Sequence, residues 1–180
     1  MPRDEICRLL ADHAPADDRE LRFVRDMGRL LESGSDPTSR DHYEPGHFTA
    51  SAFVLSPDGR DVLLIEHGKL HRWLQPGGHI EPGDASVEAA CRREVAEETG
   101  LTDLALRSAG LFDVDVHQIP ALRGQPSHQH HDLRMCFVAG TRAIVAGSDA
   151  KAVRWEPWAA IDPAITDESV MRALRKLARG

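Results

Sequence analysis

No stretch of this chain is apolar for long enough to suggest a membrane span, although 41% of its residues are hydrophobic. The opening MPRDEICRLLADH is charged throughout and lacks an apolar core followed by a small-residue cleavage site, so no secretory leader is expected. Cysteine is scarce and odd in number. Cys7, Cys91 and Cys136 lie far apart in apolar surroundings, which fits reduced thiols in a cytoplasmic protein better than a disulfide framework. Positive charge is not in excess either. The net charge of -7 argues against a nucleic-acid polyanion as the main partner. It does not oppose a small phosphorylated ligand, because a bound metal inverts the local field. Internal repeats and low-complexity segments are also missing. What remains is a 180-residue chain of ordinary globular composition, long enough for a sizeable core.

The most informative stretch is Gly77 to Leu101, GGHIEPGDASVEAACRREVAEETGL. Its second half reads as the end of a helix closed by Gly100. Glu94, Glu97 and Glu98 stand at i, i+3 and i+4, so their carboxylates share one face. Val87, Ala90, Cys91 and Val95 form an apolar stripe that can seat the helix on a sheet. Acids grouped in this way repel one another unless a cation sits among them, and hard divalent ions take carboxylate, water and phosphate oxygens. Glu-rich helix faces are also commonly just solvated. The glycine-punctuated loop ahead of the helix, Gly77-Gly78 and Pro82-Gly83-Asp84, favours the metal reading, since it can bring backbone groups beside the carboxylates.

This stretch resembles the signature box of the Nudix hydrolases. The box runs Gly, five residues, Glu, seven residues, Arg-Glu, an aliphatic, any residue, Glu-Glu, any residue, Gly and an aliphatic. Gly78 matches its start, and Arg93, Glu94, Val95, Glu97, Glu98, Gly100 and Leu101 match its second half. Asp84 stands where the first Glu belongs, and the Arg-Glu pair then arrives one residue late. Either the turn after Asp84 carries an extra residue or that acid is displaced.

The resemblance covers about Gly46 to Ile161 and implies an α/β fold, the Nudix α/β/α sandwich around a mixed β-sheet. Residues 46–180 would form this domain, with residues 1–45 as a helical N-terminal extension and linker. It further implies hydrolysis of a pyrophosphate bond in a nucleoside diphosphate linked to another moiety, with Mg²⁺ or Mn²⁺ as cofactor. By carry-over, Glu94, Glu97 and Glu98 are the acids of the metal site, with Glu98 the strongest candidate for a direct ligand. The Gly77 carbonyl is an added ligand, and Glu94 orients or deprotonates water. Arg93 can hold Glu97 at i, i+4. A non-catalytic nucleotide- or sugar-binding regulator is the alternative, disfavoured by the intact acids. Diphosphate isomerase chemistry ranks last, because Cys91 lies off the acids' face.

Elsewhere the patterns are coarser. Glu5 to Ala11 predicts a short helix, and Asp17 with Glu20 predicts a capping box opening a second. The pair reads as packing against the domain, with a homodimer arm or substrate lid as the alternative. His47 to Leu55 and Val62 to Ile65 predict a hairpin across Ser56-Pro57-Asp58-Gly59. Lys69, His71 and Arg72 precede the box as phosphate-binding candidates or solvated charges, and Trp73 reads as packing. Leu104 to Val116 suits one long strand or two short ones, and Leu133 to Ala139 another. If that last strand starts early, His128, His130, Asp132 and Arg134 share a face at period 2. They would then form a second metal site or a phosphate-recognition wall whose binding weakens as pH rises through about 6.5. The plainer reading is a polar loop with His128 and His131 in solvent. Lys151 to Pro157 predicts the last strand, and Ser169 caps a final amphipathic helix.

Overall fold

These periodicities are realised as helices and strands in the computed structural model, which describes residues 3–68, 71–122, 124–147 and 150–179. The chain begins with α1 (Arg3–Asp12) and α2 (Asp18–Glu32), which pack on each other. Asp17 caps α2, its carboxylate accepting the Glu20 N–H at 2.8 Å. The Glu20 side chain is fully buried, taking the Ala16 N–H at 2.5 Å and meeting His13 Nε2 at 2.8 Å. A buried carboxylate needs such donors, and these fix the turn between the two helices.

The strands follow as β1 (Gly46–Leu55), β2 (Asp61–His67), β3 (Arg72–Leu74) and β4 (Gly77–His79). After α3 (Val87–Thr99) come β5 (Leu104–Leu106), β6 (Asp113–Ile119), β7 (His128–Ala139) and β8 (Ala150–Pro157). A short 3-10 turn and α4 (Glu168–Leu177) end the described chain. The strands belong to one mixed sheet with the order β3-β2-β1-β7-β5, where β4 pairs with β1, β6 with β7 and β8 with β2. The β1–β2 hairpin has Leu55 opposite Val62, and Gly59 supplies the positive φ of 71° that its turn requires. All ten residues of β1 are buried. It is an inner strand, flanked by β2 and β7, so neither of its faces needs to be polar.

Several expectations are refined. The segment from Leu104 is two short strands, and β7 does begin early, at His128. The cap of α4 is Asp167, which accepts the Val170 N–H at 2.9 Å, and not Ser169. An ionised carboxylate is the stronger acceptor at the positive end of a helix. Cys91 and Cys136 are buried as expected, whereas Cys7 is exposed. Among the described residues no helix is long and apolar enough to cross a membrane.

By its contacts the chain divides into two compact units. The first comprises Met1–Ser51, Gly78–Ala90 and Gly110–Met135, with Ile6, Met27, Leu30, Phe48, Val114 and Leu133 buried in it. Here α2 lies against β6, and Glu5 of α1 accepts the Val87 N–H that opens α3, at 3.3 Å. The second comprises Ala52–Gly77, Cys91–Ala109 and Cys136–Gly180, around Phe53, Leu63, Leu64, Val95, Leu101 and Phe137.

Candidate active site

In the second unit the acids occupy the last turns of α3. The helix runs regularly to Thr99 and closes at Gly100 with φ 73°. The additional box residue is taken up before the helix starts. Asp84 sits in a closed turn, its carboxylate accepting the Glu81 N–H at 2.8 Å while its own N–H reaches the Glu81 carbonyl at 2.9 Å. Ser86 then caps the helix by accepting the Ala89 N–H at 2.9 Å. Glu94 and its neighbours therefore keep helical register with one another.

The three carboxylates are not equivalent. Glu98 is buried at 8% exposure, and its Oε2 accepts the Gly77 N–H at 2.9 Å, which puts the glycine proposed as a ligand directly beside it. Glu94 is mostly buried, whereas the Glu97 side chain is 59% exposed. Arg93 bonds both, reaching Glu94 at 2.8 Å and Glu97 at 3.1 Å, so the anticipated i, i+4 pair forms and a second one with it. No basic residue occupies the last turn of α3. Carboxylates at the negative pole of a helix are destabilised by its dipole. One guanidinium and one backbone N–H lie among these carboxylates. The all-oxygen donor set is what a hard divalent cation such as Mg²⁺ prefers.

A support missed in the sequence lies behind this turn. The Val145 N–H donates to the Thr99 carbonyl and the Gly147 N–H to the Glu98 carbonyl, each at 2.9 Å. A Cβ on Gly147 would stand 1.8 Å from the Glu97 carbonyl oxygen. Only glycine permits that approach, and a lone Gly in a polar loop carries no signal of it. Nearby in sequence, Arg72 donates to the Thr166 carbonyl, and Arg154 stacks over Trp73 at 3.8 Å, in keeping with a packing role for Trp73. Lys69 lies outside the described residues. His71 is exposed, with a positive φ of 51°.

In the first unit, β7 places His130, Asp132 and Arg134 on one face, opposite His117, Asp115 and Asp113 of β6. Arg134 is buried and already engaged. It reaches Asp132 at 2.7 Å, Asp113 at 3.2 Å and Asp115 at 3.6 Å. Thr49 and Ser51 donate to Asp132 at 3.0 and 2.7 Å. Burial works against the Arg134 charge, but Asp115, Asp132 and Asp113 outweigh it and hold the guanidinium protonated more firmly than usual. Asp115 and Asp132 face each other directly, a pairing that needs a cation between them. Sequence reasoning offered Arg134 and Asp132 as open phosphate contacts. The structure engages them with each other in the interior.

The histidines depart from the plainer reading of a solvated polar loop. His128 and His131 are buried rather than in solvent. His131 packs against Phe48 with ring centroids 5.9 Å apart, and neither of its nitrogens has a partner among the described residues. Burial pushes the imidazoles of His79 and His131 down to about 4 and that of His130 to about 2. A His130 titration near pH 6.5 is therefore removed, because desolvation disfavours the imidazolium. His47 of β1, His79 of β4 and His130 gather one ring nitrogen each within 4.8 Å of one another. His79 lies inside the box stretch and His47 at the start of the hairpin. Neither drew notice in the sequence, because a lone His has no period.

Comparison with known proteins agrees with this geometry. The NUDIX domain model matches residues 45–177. A Bacillus subtilis (strain 168) protein provisionally named an 8-oxo-dGTP diphosphatase is 31% identical over 109 residues, 60% of this chain and 66% of its own. An RNA pyrophosphohydrolase of Caulobacter vibrioides (strain NA1000 / CB15N) is 36% identical over 96 residues, 51% of this chain and 53% of its own. The chain thus spans between about half and two thirds of the length of these relatives. The crystal structure of a NUDIX-family hydrolase from Clostridium perfringens superposes with a TM-score of 0.53 at 25% identity, covering 74% of this chain and 97% of that one. With its box helix intact and its sheet matched, the chain belongs to the Nudix family.

Proposed function

We propose that this protein is a divalent-metal-dependent pyrophosphohydrolase that cleaves a phosphoanhydride bond in a small nucleoside diphosphate linked to a further group. The observation that carries this reading is the placement of Glu94, Glu97 and Glu98 at the negative end of α3, with Glu98 buried against Gly77. Glu98, Glu97, Glu94 and the Gly77 carbonyl are the residues that would hold Mg²⁺ or Mn²⁺. When bound, the cation supplies charge neutralisation to the diphosphate. Glu98 is fixed by its hydrogen bond from the loop, so its carboxylate is preorganised and little rotamer entropy is lost on binding. Glu94, drawn toward Arg93 and mostly buried, is the group that orients or deprotonates the attacking water. Arg93 is a positioning residue that bridges Glu94 and Glu97 and so fixes their geometry. The curated relatives are named as a diphosphatase of an oxidised deoxynucleotide and a pyrophosphohydrolase of RNA, and both names denote cleavage of a phosphoanhydride. These names support the bond type, while the identity of the leaving group depends on residues outside the box.

The test is a screen of nucleoside triphosphates, dinucleoside polyphosphates and nucleotide sugars with Mg²⁺ or Mn²⁺, reading released phosphate or nucleotide. Turnover of at least one class is expected, together with its loss in Glu98→Gln. No turnover on any class, or a Glu98→Gln variant at wild-type rate, would overturn the proposal.

A further inference from the structure

A second metal-competent group lies in the first unit, built from nitrogen and not oxygen. His47 enters it from the start of β1, His79 from the end of β4 and His130 from β7. Their ring centroids are 5.1 Å apart for His47 and His79, 4.9 Å for His47 and His130, and 5.4 Å for His79 and His130. His47 is 1% exposed, and its Nδ1 lies 3.1 Å from the His42 carbonyl. A carbonyl only accepts, so Nδ1 carries the proton and Nε2 keeps its lone pair. That Nε2 is buried without a hydrogen-bond partner among the described residues. A buried acceptor left without a donor is destabilising, because it has given up its hydration for nothing. A backbone carbonyl that orients one ring nitrogen while the other faces inward is the arrangement that supports histidine metal ligands.

We infer that His47, His79 and His130 form a second metal site for a borderline divalent cation of the Zn²⁺ type, distinct in its donors from the carboxylate face of α3. Imidazole suits zinc and its neighbours in the first transition row, whereas Mg²⁺ takes oxygen. Burial keeps the rings deprotonated, which is the ligating form. Zinc–nitrogen bonds of about 2.0–2.1 Å in a tetrahedron set nitrogens about 3.4 Å apart, so the rings close on the ion by shifts of about 1 Å. Three protein ligands leave one position for water or a phosphate oxygen, as in open zinc sites. His128 flanks the group, stacked on His47 at 5.0 Å with its Nδ1 turned to the Pro126 carbonyl at 2.8 Å.

The inference is independent of the proposed hydrolysis, and its test does not read turnover. Metal-free protein is titrated with Zn²⁺ by calorimetry, and the zinc-loaded wild type is studied by X-ray absorption. The expected result is one ion per chain, with imidazole scattering from three rings near 2.0–2.1 Å. His79→Ala and His130→Ala, with native circular dichroism, are expected to lose at least about 10-fold in Zn²⁺ affinity, while Glu98→Gln retains it. Zinc held by oxygen donors without imidazole scattering would overturn the site. So would unchanged affinity in the folded His130→Ala variant, or an equal loss in Glu98→Gln. Should the histidine variants fail to fold, the wild-type absorption spectrum alone decides.

Discussion

The protein contains two groups of three carboxylates with one arginine each, and they do opposite things. In the first unit Asp113, Asp115 and Asp132 surround Arg134 in the interior, and Thr49 and Ser51 satisfy oxygens of Asp132. In the second unit Glu94, Glu97 and Glu98 line the end of a helix, and Arg93 bonds Glu94 and Glu97. The first group carries its own cation at its centre. The second stands at the negative end of a helix whose dipole opposes it, the arrangement proposed above to hold a divalent cation. Each group combines three carboxylates with an arginine, and position relative to the backbone separates a buried network from the proposed ligand site.

Substitution of the central cation should break the first group most severely. Arg134→Ala is expected to destabilise the fold by about 3–5 kcal/mol, because it leaves buried carboxylates uncompensated. Urea unfolding measures this, and a loss below about 1 kcal/mol would show that the network is not the structural element described.

The second group should respond in activity and not in stability. Glu98→Gln is expected to lower kcat/KM by about 100-fold, roughly 2.7 kcal/mol of transition-state stabilisation, with the urea midpoint little changed. Mg²⁺ should raise the melting temperature of the wild type and lose that effect in the variant. Equal stabilisation of both proteins by Mg²⁺ would remove Glu98 from the ligand set.

Gly147→Ala sharpens the comparison by disturbing the backbone behind the acids and leaving every carboxylate in place. A methyl group 1.8 Å from the Glu97 carbonyl must displace the helix end or the loop. The expected outcome is a fall in kcat on the order of 10-fold in folded protein. A variant with wild-type kinetics would mean that the loop does not hold the acids in place.

His131→Leu addresses the first unit from its apolar side. Both ring nitrogens of His131 are buried without partners among the described residues, so the apolar replacement is expected to stabilise by roughly 1–3 kcal/mol. Destabilisation in urea would indicate a ring held by a water or another group.

The smallest expected effect is that of Asp84→Asn. Asp84 closes its own turn onto Glu81, and an amide oxygen can replace that acceptor, so turnover should fall far less than in Glu98→Gln. Equal losses in the two variants would make Asp84 an acid of the site.

Most of the second group was legible in the sequence, since Glu94, Glu97 and Glu98 share a face through helical spacing alone, and α3 needs only local register to present them. The same holds for the β1–β2 hairpin, whose turn chemistry and flanking strands are neighbours in the chain. Period 2 in β7 likewise placed His130, Asp132 and Arg134 together. What that face meets is a different matter. Asp113 lies 21 residues away from Arg134 and Thr49 lies 83 from Asp132. Whether a polar face looks onto solvent or onto another strand's carboxylates depends on which strands pair, and periodicity is blind to that. The gathering of His47, His79 and His130 has the same origin. Three rings on three strands converge only once the sheet has formed, because side-chain contacts across a sheet are set by strand order and register, which no local pattern encodes.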